Sequence, residues 1–337
     1  MNKDYLELHC HTNYSFQEGA STISELVNRA KEIGYQGLAL TDHDNLCAAI
    51  EFSEIAKMSG LKPIIGAEVS LEGGSHVTLL ASNRRGYSNL CKLISLGYFG
   101  KEKNKPELTK KHLYQYSDGV FLLTGCTNSE LAKAWYGNQI DKMQEIIKDY
   151  IDAFGKQNVF VELQKHFVKG DIKRNAKLIE LSDKFNLLAV ATNNVHYHVP
   201  ERRKIQDVLI SVKNNLSLAN THLQRKPNSH YYLKSADEMN DLFSEYPSAV
   251  SNSLNIAESC EFDLTEKLDY KLPLYPVPNG YSTISYLKEI CLEAAYRKYG
   301  GLDSKINNRL EEELNLIGKN KLEGFFLLYR DVIEIAH

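Results

Sequence analysis

The sequence predicts an α/β fold, a distorted barrel of strands and helices that is followed by a mainly helical segment. Between residue 5 and about residue 200, short apolar runs alternate with stretches of helical periodicity. The runs are rich in valine, leucine, isoleucine and phenylalanine, as expected of strands buried on both faces. No glycine-rich phosphate loop follows any run, so we favour a closed or nearly closed barrel over an open doubly wound sheet.

Seven strands with helical crossovers account for the alternation. The predicted strands are 5–9, 37–41, 63–71, 76–81, 119–124, 158–163 and 187–192. A capping box from Thr22 to Glu25 opens the first helix, which ends at Gly34. Further helices are predicted from about Asn45 to Gly60, and over 86–96, 128–136, 139–154 and 172–185. The pair Gly73-Gly74 predicts a hairpin, which makes the fourth strand antiparallel to the third.

After residue 200 the pattern becomes helical and predicts a second region. Helices are expected over 203–213, 235–245, 248–259, 284–299, 304–318 and 325–336. The segment 272–280 holds three of the eight prolines and is predicted to be a linker. We expect a barrel domain over 1–271, with its helical extension from about residue 200, and a linker plus a further, truncated region over 272–337.

The composition limits the kinds of molecule that the protein is expected to bind and the setting in which it is expected to occur. The net charge of the 337 residues is −3, so any nucleic-acid contact is expected to be local or to depend on metals. No apolar run could span a bilayer, and the N-terminus lacks a signal-peptide core, so we expect no membrane partner. The six cysteines form no C-x-x-C pair, which favours a reduced, cytoplasmic setting.

Polar residues stand at nearly every predicted strand end. Residues two apart on a strand share a face, so His9 and His11 are expected to reach the same point. Glu18 follows on a loop that could fold back over the end of the first strand. The other candidates at strand ends are Asp42, His43, Asp44, Glu68, His76, Cys126, Glu162, His166, Asn194 and His196. Taken alone, each of these residues could be an ordinary buried residue. However, burying an ionisable group costs free energy unless the group is paired or bound to a metal. Convergence at one rim of the barrel explains them together.

The expected donors are five imidazoles, two carboxylates, an amide oxygen and a thiolate. That set is too large for one ion and suits two or three divalent ions, with zinc, manganese and iron all compatible. Clustered metals can hold a hydroxide nucleophile and clamp both oxygens of a phosphoryl transfer. We therefore predict a metal-bound hydroxide as the nucleophile.

The motifs also carry a family resemblance. In order and spacing they resemble those of the polymerase and histidinol phosphatase (PHP) family, and more narrowly the front of bacterial DNA polymerase III alpha subunits and their error-prone relatives. The motifs are HCHTNYSFQEGAS, LALTDHDNL, IIGAEVSL, HVTLLASNRRGYSNL, LLTGC, FVELQKH and ATNNVHY. The resemblance continues beyond the barrel, and GFFLLYRDVIEIAH resembles the opening of the palm domain.

The resemblance implies a distorted seven-stranded barrel with a trinuclear metal centre. By motif, its ligands are His9, His11, Glu18, His43, Glu68, His76, Cys126, Asn194 and His196. Asp42 and Asp44 would orient His43. Glu18 and Asn194 replace the family's usual aspartates, and the uncharged Asn194 is expected to weaken one metal.

The same resemblance implies phosphoesterase or 3′→5′ exonuclease activity on single-stranded DNA or primer 3′ ends, with other replicase subunits as partners. The chain stops before the polymerase active site, so it is not expected to polymerise DNA. Two alternatives remain: a metal-binding but non-catalytic scaffold of the polymerase, and a free-standing small-molecule phosphatase. The segments after Ser235 disfavour the second alternative.

Overall fold

The computed structural model describes residues 4–101, 106–266 and 272–336. They belong to two compact units, Met1–Leu268 and Asp269–His337. The domain boundary predicted after residue 271 falls next to residues 267–271, which lie outside the described part of the chain.

The first unit is built on a six-stranded sheet whose strands follow one another in chain order. The strands are β1 (Gly37–Leu40), β2 (Lys62–Leu71), β3 (Ser75–Ala81), β4 (Val120–Leu123), β5 (Val159–Leu163) and β6 (Leu188–Ala191). The pairs β1–β2, β4–β5 and β5–β6 are parallel, whereas β3 is antiparallel to both β2 and β4. This strand order confirms the predicted fold class. In a doubly wound sheet, the order in which successive strands are added would reverse at an internal strand.

The predicted first strand links the two edges of the sheet without forming a regular strand. On one side, Ala39 N–H donates to Glu7 O at 3.0 Å. On the other, Val195 N–H donates to His9 O and His11 N–H donates to Val195 O, both at 2.8 Å. The carboxylate of Glu7 takes the N–H of His9 at 2.8 Å, so a side chain replaces one partner of a regular ladder.

The hairpin between β2 and β3 follows the prediction. Gly73 and Gly74 have φ values of 80° and 67°, in the left-handed region that glycine enters without a steric penalty. The turn is short enough for Leu71 to pair with Ser75. The hairpin brings His76 to the rim at which β2 ends.

Helices cover the sheet and fill most of the intervals between strands. In the first unit they are α1 (Ile23–Glu32), α2 (Ala49–Met58), α3 (Arg84–Tyr98), α4 (Lys110–Gln115), α5 (Glu130–Tyr136), α6 (Ile140–Phe154), α7 (Asp171–Phe185), α8 (Arg203–Asn214), α9 (Ala236–Leu242) and α10 (Pro247–Ser259), with 3₁₀ turns at Lys156–Asn158, Pro200–Arg202 and Leu218–Asn220. The capping box of α1 is present, with Glu25 N–H donating to Thr22 Oγ1 at 3.3 Å. The six-residue α4 was not predicted, because so short a helix shows little periodicity.

The second unit contains three helices within the described residues 272–336. They are α11 (Thr283–Tyr299), α12 (Ser304–Lys319) and α13 (Glu323–Ala336). Leu287, Leu314 and Leu327, one from each helix, form its buried core. None of the described helices in either unit combines the length and apolarity needed to cross a bilayer.

Candidate metal centre

The strand ends of the first unit bring most of the predicted ligands to one rim. His9 and His11 come from the linking segment, His43 follows β1, Glu68 lies on β2 and His76 on β3. Cys126 follows β4, while Asn194 and His196 follow β6. Because parallel strands and one antiparallel neighbour end or begin at this rim, residues far apart in sequence meet there.

The carboxylate of Glu68 is the common neighbour of four histidines. Its Oε2 lies 3.4 Å from His9 Nε2, 3.3 Å from His11 Nε2 and 3.1 Å from His43 Nε2. Its Oε1 lies 3.4 Å from His76 Nδ1. The side chain is 1% exposed. A single buried carboxylate surrounded by imidazoles is the arrangement of a bridging ligand.

The other predicted ligands surround this core. Glu18 Oε2 lies 2.9 Å from His43 Nε2. The rings of His196 and His11 are stacked, with centroids 4.6 Å apart. Cys126 is buried, and its pKa is raised by burial and by the nearby Glu68 carboxylate. Asn194 is buried with φ 45°, a left-handed conformation that asparagine adopts more readily than most residues.

Several buried polar atoms at this rim have no hydrogen-bond partner among the described residues. They are His9 Nε2, His11 Nε2, Glu68 Oε1, His76 Nδ1, Asn194 Oδ1, and Nδ1 and Nε2 of His196. Buried polar groups are normally bonded, so a cluster of unpartnered donors calls for an explanation. Nitrogen and oxygen donors of this kind fit divalent transition metals. The residues present therefore fit the metal centre that the resemblance implies.

The geometry defines two groups that could each hold an ion. One consists of His9, His11 and Glu68, and the other of His43, Glu68 and His76. In each group, the ligand atoms lie within 4.8 Å of one another. Glu68 belongs to both groups, so two ions could share its carboxylate.

The electrostatics follow from burial and from the mixture of acids and bases. Burial lowers the pKa of His9, but the carboxylates of Glu162 and Glu68 outweigh it and raise that pKa to about 10. Burial also lowers the pKa of His43, but the carboxylates of Glu68 and Glu18 outweigh it and raise that pKa to about 9. By contrast, burial and the neighbouring His43 lower the pKa of His11 to about 3. The cluster thus mixes protonated and neutral imidazoles when no metal is bound.

Glu162 orients one imidazole of the cluster. Its Oε1 lies 2.7 Å from His9 Nδ1, and it accepts hydrogen bonds from Thr192 Oγ1 at 2.5 Å and Gln164 Nε2 at 2.8 Å. Its Oε2 accepts the N–H of Gly125 at 3.0 Å. A carboxylate on one ring nitrogen directs the other nitrogen toward the metal position.

Glu7 is a buried residue of the site that the sequence analysis did not single out. Its carboxylate accepts hydrogen bonds from Tyr5 Oη at 2.7 Å, His9 N at 2.8 Å and Asn193 N at 2.9 Å. It therefore joins the segment before His11 to the segment before Asn194. The signal was an acid inside an apolar run, the same signal that marked Glu68.

The aspartates beside His43 bind the loop backbone and hydroxyl groups. Asp42 accepts hydrogen bonds from Thr12 N at 2.7 Å and Ser15 Oγ at 2.6 Å, and Ser15 Oγ in turn accepts His43 N at 3.1 Å. Asp44 accepts the N–H and the hydroxyl of Ser70, both at 2.7 Å. Asp42 thus holds the main chain of His43 through Ser15, and Asp44 holds the neighbouring loop against Ser70 of β2.

Two basic residues that the sequence did not predict approach the site. Lys213 on α8 forms an ion pair with Glu18. Nζ of Lys226 lies 4.7 Å from the centroid of the Tyr231 ring. Burial lowers the pKa of His196, and the positive charge of Lys226 lowers it further. His166, which the sequence placed at the rim, instead bonds the carbonyl of Asn193 through Nε2 at 2.9 Å.

Comparison with known proteins finds a family match within the first unit. Residues 7–166 match the profile of the PHP domain. The chain therefore contains a PHP domain. Seven of the nine proposed ligands, from His9 to Cys126, and Glu162 fall within these residues.

Relatives extend the similarity beyond the PHP domain. The chain is 33% identical to an error-prone DNA polymerase of Symbiobacterium thermophilum over 98% of its length, and 32% identical to a DNA polymerase III subunit alpha of Borreliella burgdorferi over 99%. It spans 32% and 30% of those proteins, about a third of their length. A solved amidohydrolase structure from Chromobacterium violaceum matches with a TM-score of 0.42 and 17% identity, covering 57% of this chain and 87% of that one.

Proposed function

We propose that the PHP domain binds two or three divalent metal ions and hydrolyses phosphodiester bonds at the 3′ ends of single-stranded or mispaired DNA. The supporting observation is the set of buried imidazole nitrogens and carboxylate and amide oxygens around Glu68 that have no hydrogen-bond partner among the described residues, although some lie 3.3–3.4 Å from the Glu68 carboxylate. Zinc, manganese or iron suits such mixed donors better than magnesium does. Bound ions would supply an activated water and neutralise charge on the scissile phosphate.

Different groups of residues would hold the individual metal ions. His9, His11 and Glu68 would hold one ion, and His43, Glu68 and His76 a second. Glu18 would join the second group through its position beside His43. The remaining donors for a third ion are Cys126, Asn194 and His196. Glu162 keeps the Nε2 of His9 directed into the cluster.

The wider context is also a proposal. We infer that the chain is the N-terminal region of a bacterial DNA polymerase III alpha-type or error-prone polymerase, because such proteins match 98–99% of it. Its PHP domain with the helical extension would occupy residues 1–271, and residues 272–337 would be the linker and the start of the palm. Its partners would be DNA and other replicase subunits, in the cytoplasm. A free-standing phosphatase is disfavoured because the similarity continues past residue 166.

The experiment is a degradation assay with the purified 337-residue chain and a single-stranded oligonucleotide that carries a 5′ fluorescent label. A 3′→5′ exonuclease produces a ladder of shortened, labelled products, and the ladder should disappear with EDTA. The variants His11→Ala and His43→Ala should each abolish it, since each removes a ligand. His222→Ala, which changes an exposed histidine, is the matched control. Hydrolysis that persists in both ligand variants would show that another site, or a contaminant, is responsible.

A metal-binding scaffold without catalysis is the second candidate, and two observations favour it. Asn194 brings no charge to the centre, and Lys213 already pairs with Glu18. Elemental analysis together with the same assay separates the two candidates. Bound metal without any shortened product would identify the scaffold, whereas bound metal with a 3′→5′ ladder would identify the nuclease.

A further inference from the structure

The loop between β5 and α7 displays an aromatic ring to solvent in a conformation that costs energy. Phe167 is 62% exposed, and its φ is 56°. A bulky side chain in the left-handed region is a genuine outlier, and such a conformation costs on the order of 1–3 kcal/mol. Burial of the ring does not compensate for this cost. The ring of His230 contacts the Phe167 ring, with centroids 4.5 Å apart, yet most of the Phe167 side chain stays open to solvent.

Asp171 enforces this conformation. One of its carboxylate oxygens, Oδ2, accepts the N–H of His166 at 2.8 Å and that of Val168 at 3.0 Å, the residues on either side of Phe167. Its other oxygen pairs with Arg174 at 3.1 Å, and both side chains are buried. The loop is thus fixed from within, and the ring of Phe167, which contacts His230, remains largely exposed.

The surroundings of Phe167 are basic and concave. A groove of about 620 Å³ runs along the loop, lined by Phe167, Ile172, Lys165, Lys169 and Lys173 among others. Ile172 and the last two lysines are exposed. Asp171, the acid in this lining, is already neutralised by Arg174. The adjoining cavity, which Phe167 also lines, holds two acids, Glu238 and Asp241, beside Lys165 and Lys234. The excess of positive charge therefore lies on the α7 side, at Lys169 and Lys173.

The loop is also joined to the metal centre by direct contacts. His166, next to Phe167, bonds the carbonyl of Asn193 at 2.9 Å, and its ring stacks on Tyr231 with centroids 3.9 Å apart. Tyr231 in turn meets His196 edge-on at 6.2 Å. Phe167 is therefore connected to the candidate metal centre through its neighbour His166, Tyr231 and His196.

We propose that Phe167, Lys169 and Lys173 form a platform for single-stranded DNA, in which a base stacks on Phe167 and the lysines contact the phosphates. An exposed aromatic ring beside a positively charged groove is the pattern by which proteins bind single strands without reading sequence. Charge complementarity favours a polyanion over an apolar peptide as the occupant. The platform gives the DNA of the proposed nuclease a place upstream of its 3′ end, and to that extent rests on the proposed function.

The test measures binding in the absence of hydrolysis. A fluorescent oligothymidylate is titrated with the full 337-residue chain in EDTA, and its anisotropy is followed. Phe167→Ala should weaken binding roughly tenfold, since base–aromatic stacking is worth about that much, while Phe167→Tyr should retain it. Lys169→Glu with Lys173→Glu should weaken binding and reduce its dependence on salt.

Two controls keep the result free of folding effects. Met58→Ala removes an exposed apolar side chain, and Lys31→Glu reverses an exposed charge, both at the opposite end of the strands, where α2 and α1 finish. Neither should change affinity. Phe167→Gly should weaken DNA binding while raising the melting temperature by roughly 2–4 °C, because glycine relieves the left-handed strain. A structural role for the ring would instead lower the melting temperature.

The outcomes separate this inference from the proposed function. Binding that depends on Phe167 without any hydrolysis in metal would support the platform and count against the nuclease. Hydrolysis whose KM is unchanged in the Phe167 and lysine variants would overturn the platform and leave the nuclease intact. Failure of the wild-type chain to bind the oligothymidylate would also overturn the platform.

Discussion

Glu162 and His9, 153 positions apart in sequence, are joined by a 2.7 Å contact between Oε1 and Nδ1. The two are fully or almost fully buried, and Glu162 also binds the strand ends that carry Gly125 and Thr192. The contact fixes which nitrogen of His9 faces Glu68. The position of the ring is therefore set before a metal binds.

Replacement of Glu162 by glutamine tests this role. We expect Glu162→Gln to lower metal affinity by about 10- to 100-fold, because an outer carboxylate raises the basicity of the imidazole that it orients. Metal titration followed by elemental analysis is the measurement. Glu180→Gln, which changes an exposed acid on α7, should leave the affinity unchanged. Equal affinities for wild type and Glu162→Gln would contradict the assignment.

Metal binding should release protons. Without metal, the pKa values of His9 and His43 are about 10 and about 9, so both are protonated at pH 7. A metal requires the neutral rings, and we expect release of about two protons at pH 7 and an affinity that rises with pH toward 9–10. Calorimetry in buffers of different ionisation enthalpy measures the release. Binding without proton release would rule out these two histidines as ligands.

The metal-free chain should show the opposite dependence on pH. Because the folded-state pKa of His9 is raised above its ordinary value near 6.5, its contribution to stability is fully present below pH 6.5. It is lost as the pH rises through about 10. Urea titrations of the EDTA-treated chain should therefore give a midpoint that falls over this range, less so in His9→Gln. A rising midpoint would contradict the sign.

Asn194→Asp should strengthen metal binding. The change is nearly isosteric and adds one negative charge beside His196, and a tenfold gain in affinity needs only about 1.4 kcal/mol. Titration of both forms at low metal is the measurement, with His196→Ala as the negative control. Asn186→Asp is a matched control, since Asn186 also adopts a positive φ, 51°, at the end of α7. Unchanged affinity in Asn194→Asp would mean that Asn194 is not a ligand.

Chelation should destabilise the fold as well as remove metal. A ligand present at about 100 times its Kd stabilises the native state by about 2.7 kcal/mol, which corresponds to roughly 5–10 °C in a protein of this size. Calorimetry before and after EDTA treatment, with metal loss verified, is the measurement. The double variant His11→Ala/His43→Ala should show little further change with EDTA. An unchanged melting temperature of the wild type after metal loss would argue against a structural contribution from the metal.

The sequence by itself determined the features that depend on local geometry. Apolar runs predicted the strands, and the helical periodicity and the capping box at Thr22 predicted the helices, since both patterns follow from short-range backbone geometry. The pair His9 and His11 predicted a shared face for the same reason. The exception was the first strand, in which the carboxylate of Glu7 binds a backbone group that a ladder would use.

The tertiary structure decided which distant side chains meet. That Glu68 lies among four histidines depends on the strand order and on the antiparallel direction of β3, which the sequence only suggested. The pairs Glu162–His9 and Lys213–Glu18 join positions 153 and 195 residues apart. Such contacts depend on chain topology and not on local propensity. Likewise, nothing in the sequence marks Phe167 as exposed and strained, because its conformation is imposed by Asp171 and Arg174 once α7 has packed against β5.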